Sequence, residues 1–176
     1  MLCCAPSLNP YPWNKQLKRI GIIYNSNTRA ADELALALSK KLRAEKYDSW
    51  VYPTEEGEKT RDLLLETDLI VTIGGDGTIL RVARLAVPLG VPILGVNMGR
   101  LGFMTEMRGS ESLEKVPQYL ASGGRIEERT VLDIEVTSTD EAAPMDDQLR
   151  ALNDVVVGRG ALARVTHIQA FIGTRA

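Results

Sequence analysis

The chain has 176 residues, 44% of them hydrophobic and 25% charged, with a net charge of −2. That composition suits one globular domain, or one domain and part of another. It excludes a general nucleic-acid binder, which carries a basic excess, and no apolar run approaches the roughly 20 residues of a membrane span.

Residues 1–15, MLCCAPSLNPYPWNK, are expected to form a loose N-terminal tail. They lack the basic segment and long apolar run of a secretory signal. The two cysteines, Cys3 and Cys4, are adjacent. They cannot staple a fold, so a reducing cytoplasm is the expected setting.

RIGIIY at 19–24 predicts a short strand. NSNT follows, with Asn27 or Thr28 as N-cap of the next helix. That helix is expected over 30–44, with Leu34, Leu38 and Leu42 on one face, acids early and bases late. Residues 49–52 predict a second strand and 58–66 a short helix. DLIVTI at 68–73 is apolar without alternation, the mark of a strand buried on both faces. After GGDG, the pattern of Ile79, Val82, Leu85 and Ala86 predicts a helix over 78–87, stopped by Pro88. VPILGV at 91–96 is a further strand. This alternation predicts an α/β fold with a doubly wound, mostly parallel sheet, over residues 16–122.

A helix is expected at 110–121, and SGGR breaks the chain at 122–125. RTVLDIEVTS at 129–138 alternates apolar and polar residues, as a half-exposed antiparallel strand does. LRALNDVVVG and ARVTHIQAFIG supply two more strands. Residues 123–176 therefore predict the start of a β-rich domain. Three strands are too few to stand alone, so that domain is expected to be incomplete.

Three stretches carry chemistry. Gly74-Gly75-Asp76-Gly77-Thr78 follows a buried strand and opens a helix. Its glycines let a ligand approach the backbone, and the helix start offers free N–H groups to a phosphate. It is neither a Walker A loop, since the lysine is missing, nor the dinucleotide fingerprint, since Leu80 stands where the third glycine belongs. A carboxylate beside phosphates is costly unless it holds a metal or accepts a proton, so Asp76 is the candidate base. The plainer reading is a strand-to-helix turn with Asp76 as N-cap.

Asn97-Met98-Gly99-Arg100-Leu101-Gly102-Phe103 lies past the next strand end, on the same rim. Phe103 either stacks on a base or caps the core. In Leu152-Asn153-Asp154-Val155 an amide and a carboxylate can pair with a purine edge and ribose hydroxyls, or simply start a strand. Arg81 and Arg164 suit bidentate phosphate contacts or plain solvated positions. His167, the single histidine, fits a structural place in a strand, and one histidine cannot build a histidine metal site.

In order, GGDGTIL (74–80), NMGRLGF (97–103) and ALNDVVV (151–157) resemble the NAD kinase family over roughly residues 19–173. GGDG alone is shared with lipid kinases and phosphofructokinases; the other two motifs are more specific. The resemblance implies transfer of the ATP γ-phosphate (polyphosphate in some members) to the adenosine 2′-hydroxyl of NAD, giving NADP, with a divalent cation such as magnesium. It implies Asp76 as proton acceptor. It implies nucleotide contacts at Gly75, Gly77, Arg81, Phe103, Asn153, Asp154 and Arg164, and no protein metal ligand. Asp154 departs from the glutamate that many members carry. The resemblance further implies homodimers or homotetramers, with no nucleic-acid or membrane partner. The family continues with an Asp-Gly and a TGSTAYxxSAGG-like segment, which these residues lack, so truncation of the β-rich domain is expected. Two other readings remain at this point: a lipid kinase of the diacylglycerol or sphingosine type, and a non-catalytic nucleotide-binding remnant.

Overall fold

In the computed structural model of the chain, the structure describes residues 2–3, 17–99, 102–123, 126–136, 149–152, 154–156, 168–171 and 173. The chain divides into two compact units, Met1–Val131 and Leu132–Ala176.

The first unit is α/β. Its elements are β1 (Leu2–Cys3), β2 (Arg19–Tyr24), α1 (Arg29–Ala44), β3 (Asp48–Pro53), a 3₁₀ segment (Thr54–Thr60), α2 (Arg61–Leu64), β4 (Leu69–Gly74), α3 (Asp76–Ala86), β5 (Ile93–Asn97), β6 (Met107–Arg108), α4 (Gly109–Ser122) and β7 (Glu127–Glu128). The sheet runs β3-β2-β4-β5-β1-β7, and β6 also pairs with β5. Strands β3, β2, β4, β5 and β6 are mutually parallel. Leu2 meets Ile93 in antiparallel register at the start of β5, while β6 pairs with Val96 and Asn97 at its end.

The sheet is covered on both faces. Ile20, Ile22, Leu69, Val71, Ile73, Leu94 and Val96 form one core with α1 and α4. The alternate residues look the other way, where α3 packs on β4 and β5. All six residues of β4 are buried, as its unbroken apolar run requires. On α1 the buried stripe is Ala31, Ala35, Leu38 and Leu42. Leu34, expected in that stripe, is only half-buried.

Several local expectations shift. Thr28 is the N-cap of α1, but its side chain makes no cap bond; Asn25 Oδ1 instead accepts the Asn27 N–H at 3.1 Å. The helix expected at 58–66 is only the single α turn of α2 (Arg61–Leu64), entered from a 3₁₀ segment that begins earlier, at Thr54. Helix α3 starts at Asp76, with Gly75 as N-cap, so Asp76 and Gly77 belong to the helix and not to a turn before it. Pro117 lies inside α4.

The first unit also extends past the SGGR break. Ile126 packs against the core, and Glu127–Glu128 pair in parallel with Leu2–Cys3. Those two N-terminal residues therefore lie in the sheet, whereas residues 4–15 of the expected tail lie outside the described residues.

In the second unit, β9 (Leu149–Leu152) pairs with β8 (Val131–Ile134) in a two-stranded sheet, and Arg150 Nε donates to Asp133 Oδ1 at 2.8 Å. Asp154–Val156 are not in a strand, nor are residues 168–171 of the third expected one; His167 lies outside the described residues.

Candidate functional site

The winding reverses between β2 and β4. The chain goes from β2 outward to β3, then returns across to β4 and runs on to β5 and β6. Loops leaving neighbouring strand ends diverge at such a reversal, and the crevice between them is where open α/β sheets bind ligands. A pocket of about 210 Å³ lies there. Asn25 and Asn27 line it from the end of β2, Thr54 from the end of β3, and Gly75, Gly77, Thr78 and Arg81 from the start of α3.

The glycines explain why it is open. Gly75 has φ −120° and ψ −170°, ordinary extended backbone. A Cβ added at Gly75 or Gly77 would meet no atom within 4 Å. Neither backbone geometry nor packing requires glycine at either position. What the missing side chains leave free is the approach to the first amides of α3, which have no intrahelical acceptor and form the positive end of the helix dipole. Gly74 differs: a Cβ there would fall 2.1 Å from Thr78 Oγ1, the atom that accepts the Gly75 N–H at 3.4 Å.

Arg81 Nη1 lies 3.7 Å from Glu55 Oε1. Glu55 also accepts Ser26 Oγ at 2.7 Å and Thr54 Oγ1 at 3.2 Å. The Ser26 hydrogen bond, then the backbone and Thr54 bonds and the Arg81 charge, hold the Glu55 carboxyl below its ordinary value against a small burial effect. The rim thus holds its cation with an internal anion.

The second glycine-bearing turn begins with Asn97 at the end of β5. Asn97 is buried; its Oδ1 accepts the Gly99 N–H at 2.7 Å and its Nδ2 donates to Thr105 Oγ1 at 3.2 Å. Thr105 Oγ1 also accepts the Gly102 N–H at 3.1 Å. Asp76 then joins the two turns. Its Oδ2 accepts the Phe103 N–H at 3.0 Å and its Oδ1 the Met104 N–H at 3.2 Å. Each oxygen keeps a further acceptor site.

Of the predicted residues, Gly75, Gly77 and Arg81 converge on one pocket. Asp76 opens the helix beside it and points its carboxylate at the second turn. Phe103 does not cap the core: it is 95% exposed. Asp154 is exposed in the second unit, its N–H donating to Leu152 O at 3.0 Å. Asn153 and Arg164 lie outside the described residues. Not marked in the sequence were Asn25, Asn27 and Thr54 at the pocket, Glu55 against Arg81, and Asn97 and Thr105 under the turn. For Asn25 the signal was its place directly after a strand end. Among the described residues, no three His, Cys, Asp or Glu side chains converge as a metal site requires, and no helix is long and apolar enough to cross a membrane.

The family model of the ATP-NAD kinase N-terminal domain matches residues 14–124. An NAD kinase of Dehalococcoides mccartyi is 39% identical over 158 residues, covering 90% of this chain and 55% of that protein. An NAD kinase of Heliobacterium modesticaldum is 36% identical over 161 residues, covering 88% and 56%. The chain thus spans about half the length of the curated relatives it matches. Among solved structures, yeast NADH kinase complexed with NADH superposes with a TM-score of 0.61 at 22% identity, over 82% of this chain and 51% of that one; at that identity the likeness concerns the fold.

Proposed function

As the chain belongs to the ATP-NAD kinase family, we propose that it carries the phosphate-donor half of an NAD kinase, transferring the ATP γ-phosphate to the adenosine 2′-hydroxyl of NAD in the cytoplasm. The observation that carries this reading is the double membership of Asp76. Its backbone opens α3 beside the pocket, and its carboxylate is bound by the turn that presents Phe103.

In this reading the polyphosphate lies on the first amides of α3 and on Arg81. The NAD adenosine lies toward Phe103. The 2′-oxygen attacks the γ-phosphorus as the bond to the β,γ-bridging oxygen breaks. Asp76 takes the hydroxyl proton, and ADP leaves. A positioned base contributes about 10²–10⁴-fold; positioning of the reacting groups supplies much of the rest. The described carboxylates do not build a resident cation site, so magnesium would arrive on the donor phosphates, as it does in many kinases. Asn153, Asp154 and Arg164 would complete the NAD site, and assembly into dimers or tetramers would complete the enzyme. The lipid-kinase reading is not favoured, because the family match is to NAD kinases.

The test is NADP formation by the purified chain with ATP and magnesium, with equilibrium binding of each nucleotide measured in parallel. Asp76→Asn serves as the control. It is not a silent isostere: the new amide NH₂ would face a backbone N–H where an oxygen now accepts one. Its loss of turnover therefore implicates the base only if the variant still binds NAD and ATP with wild-type affinity. Turnover abolished in such a variant supports the assignment. Binding of neither ATP nor NAD by the wild type would overturn the reading.

A further inference from the structure

Phe103 joins an exposed ring to a peptide bonded from distant parts of the chain. Its ring is 95% exposed, yet its peptide is gripped on both sides. The N–H donates to Asp76 Oδ2. The carbonyl accepts Arg129 Nη2 at 3.4 Å, from 26 residues along the chain. Arg129 is only 20% exposed and is itself oriented by Glu127, Nη2 to Oε1, at 2.8 Å. Its Nε is shielded from water and has no hydrogen-bond partner among the described residues. Leaving that one N–H shielded and unpaired is costly. Arg129 is brought to this place by the sheet edge, where Glu127–Glu128 pair with Leu2–Cys3.

An exposed ring on a fixed peptide has given up conformational freedom without burying its surface. The backbone part of the ordering that stacking needs is then already done, and a planar partner that covers the ring has only the side-chain rotamer left to order. From this arrangement we infer that Arg129 is a positioning residue: it fixes the Phe103 peptide so that the ring is preset to stack on a flat ring of the acceptor nucleotide. The inference rests on the proposed kinase reading for the identity of that nucleotide, but not for the grip itself. Arg129 touches no substrate and acts through Phe103.

Two measurements on the full chain test it. The first is amide hydrogen exchange at Phe103 and Met104 in the wild type, Arg129→Met and Arg129→Lys. Loss of a charge-assisted bond should speed exchange about tenfold in Arg129→Met, and Lys, which can still donate to the carbonyl, should restore part of the protection. The second is equilibrium binding of NAD and of ATP. Arg129→Met should weaken NAD binding about fivefold and leave ATP binding unchanged, and that loss should vanish in a Phe103→Ala background, as a shared pathway requires. Unchanged exchange in Arg129→Met overturns the inference, as does an NAD defect of equal size with and without the Phe103 ring. A wild-type chain that binds neither nucleotide counts against the kinase reading, and amide exchange alone then decides the role of Arg129.

Discussion

Gly75 and Gly102 belong to glycine-bearing segments on the same rim of one sheet. A methyl group added at Gly75 would meet no atom within 4 Å; one added at Gly102 would fall 2.3 Å from Asp76 Oδ1. The first glycine leaves space for something outside the chain. The second leaves space for a side chain of the chain itself. The pocket beside α3 is therefore open where its glycines stand, whereas the space at Gly102 is filled from beneath by Asp76. Two glycine-rich motifs that look alike in sequence differ in what their missing side chains admit, and a substitution series separates them.

The largest effect is expected at Gly102→Ala. The new Cβ must displace the Asp76 carboxylate, costing about 1–3 kcal/mol of stability as overpacking does. Turnover should fall about 10²-fold through misplacement of the base. Urea unfolding and NADP formation measure both, and a variant as stable and active as wild type would show that Asp76 does not sit against this turn. Next comes Arg81→Met, for which ATP binding should weaken about tenfold or more, the usual worth of a charge-assisted phosphate contact, with NAD binding little changed. Calorimetric titration reads both.

Gly77→Ala sharpens the contrast because its two effects have opposite signs. In the first turn of α3 alanine should stabilise the chain by up to about 1 kcal/mol, since nothing in the chain opposes its Cβ, while ATP affinity should fall severalfold. A stabilised variant with full affinity would mean that no ligand uses the opening. The smallest effect belongs to Glu55→Gln, which frees Arg81 from its internal anion and should tighten ATP binding about threefold by removing a nearby like charge. The same variant tests a pH dependence. The Glu55 carboxyl is held below its ordinary value, chiefly by Ser26. Its small stabilisation is therefore present above the unfolded carboxyl range and is lost as pH falls through the depressed value. Acid titration of stability in wild type and Glu55→Gln should differ there and nowhere else.

Much of this was legible in the sequence. Unbroken apolar runs announced β4 and β5, and the alternation of strand and helix announced a parallel sheet. Gly75, Gly77 and Arg81 could be grouped from the sequence because local chemistry marks a helix start, and they line one pocket. Glu55 could not be, since its role depends on Ser26 and Arg81, which are distant in sequence and meet only once β2, β3 and β4 are ordered in the sheet. Arg129 was invisible for the same reason: an arginine beside glutamates reads as solvated charge until the sheet edge carries it to the Phe103 carbonyl. Helix α3 began two residues early because propensity disfavours glycine in helices, while the Thr78 hydroxyl and the Gly75 carbonyl hold the first turn.

The grip on the Phe103 peptide also bears on how the chain meets a protease. An exposed phenylalanine is the residue chymotrypsin selects, yet cleavage needs a stretch of backbone to leave its hydrogen bonds and extend through the enzyme's cleft. Here the side chain attracts the enzyme and the main chain refuses it, so the scissile bond becomes available only in molecules whose turn has opened. The rate at which that fragment forms, read on a gel apart from cuts at other exposed residues such as Phe171, then follows the population of open turns without label or ligand.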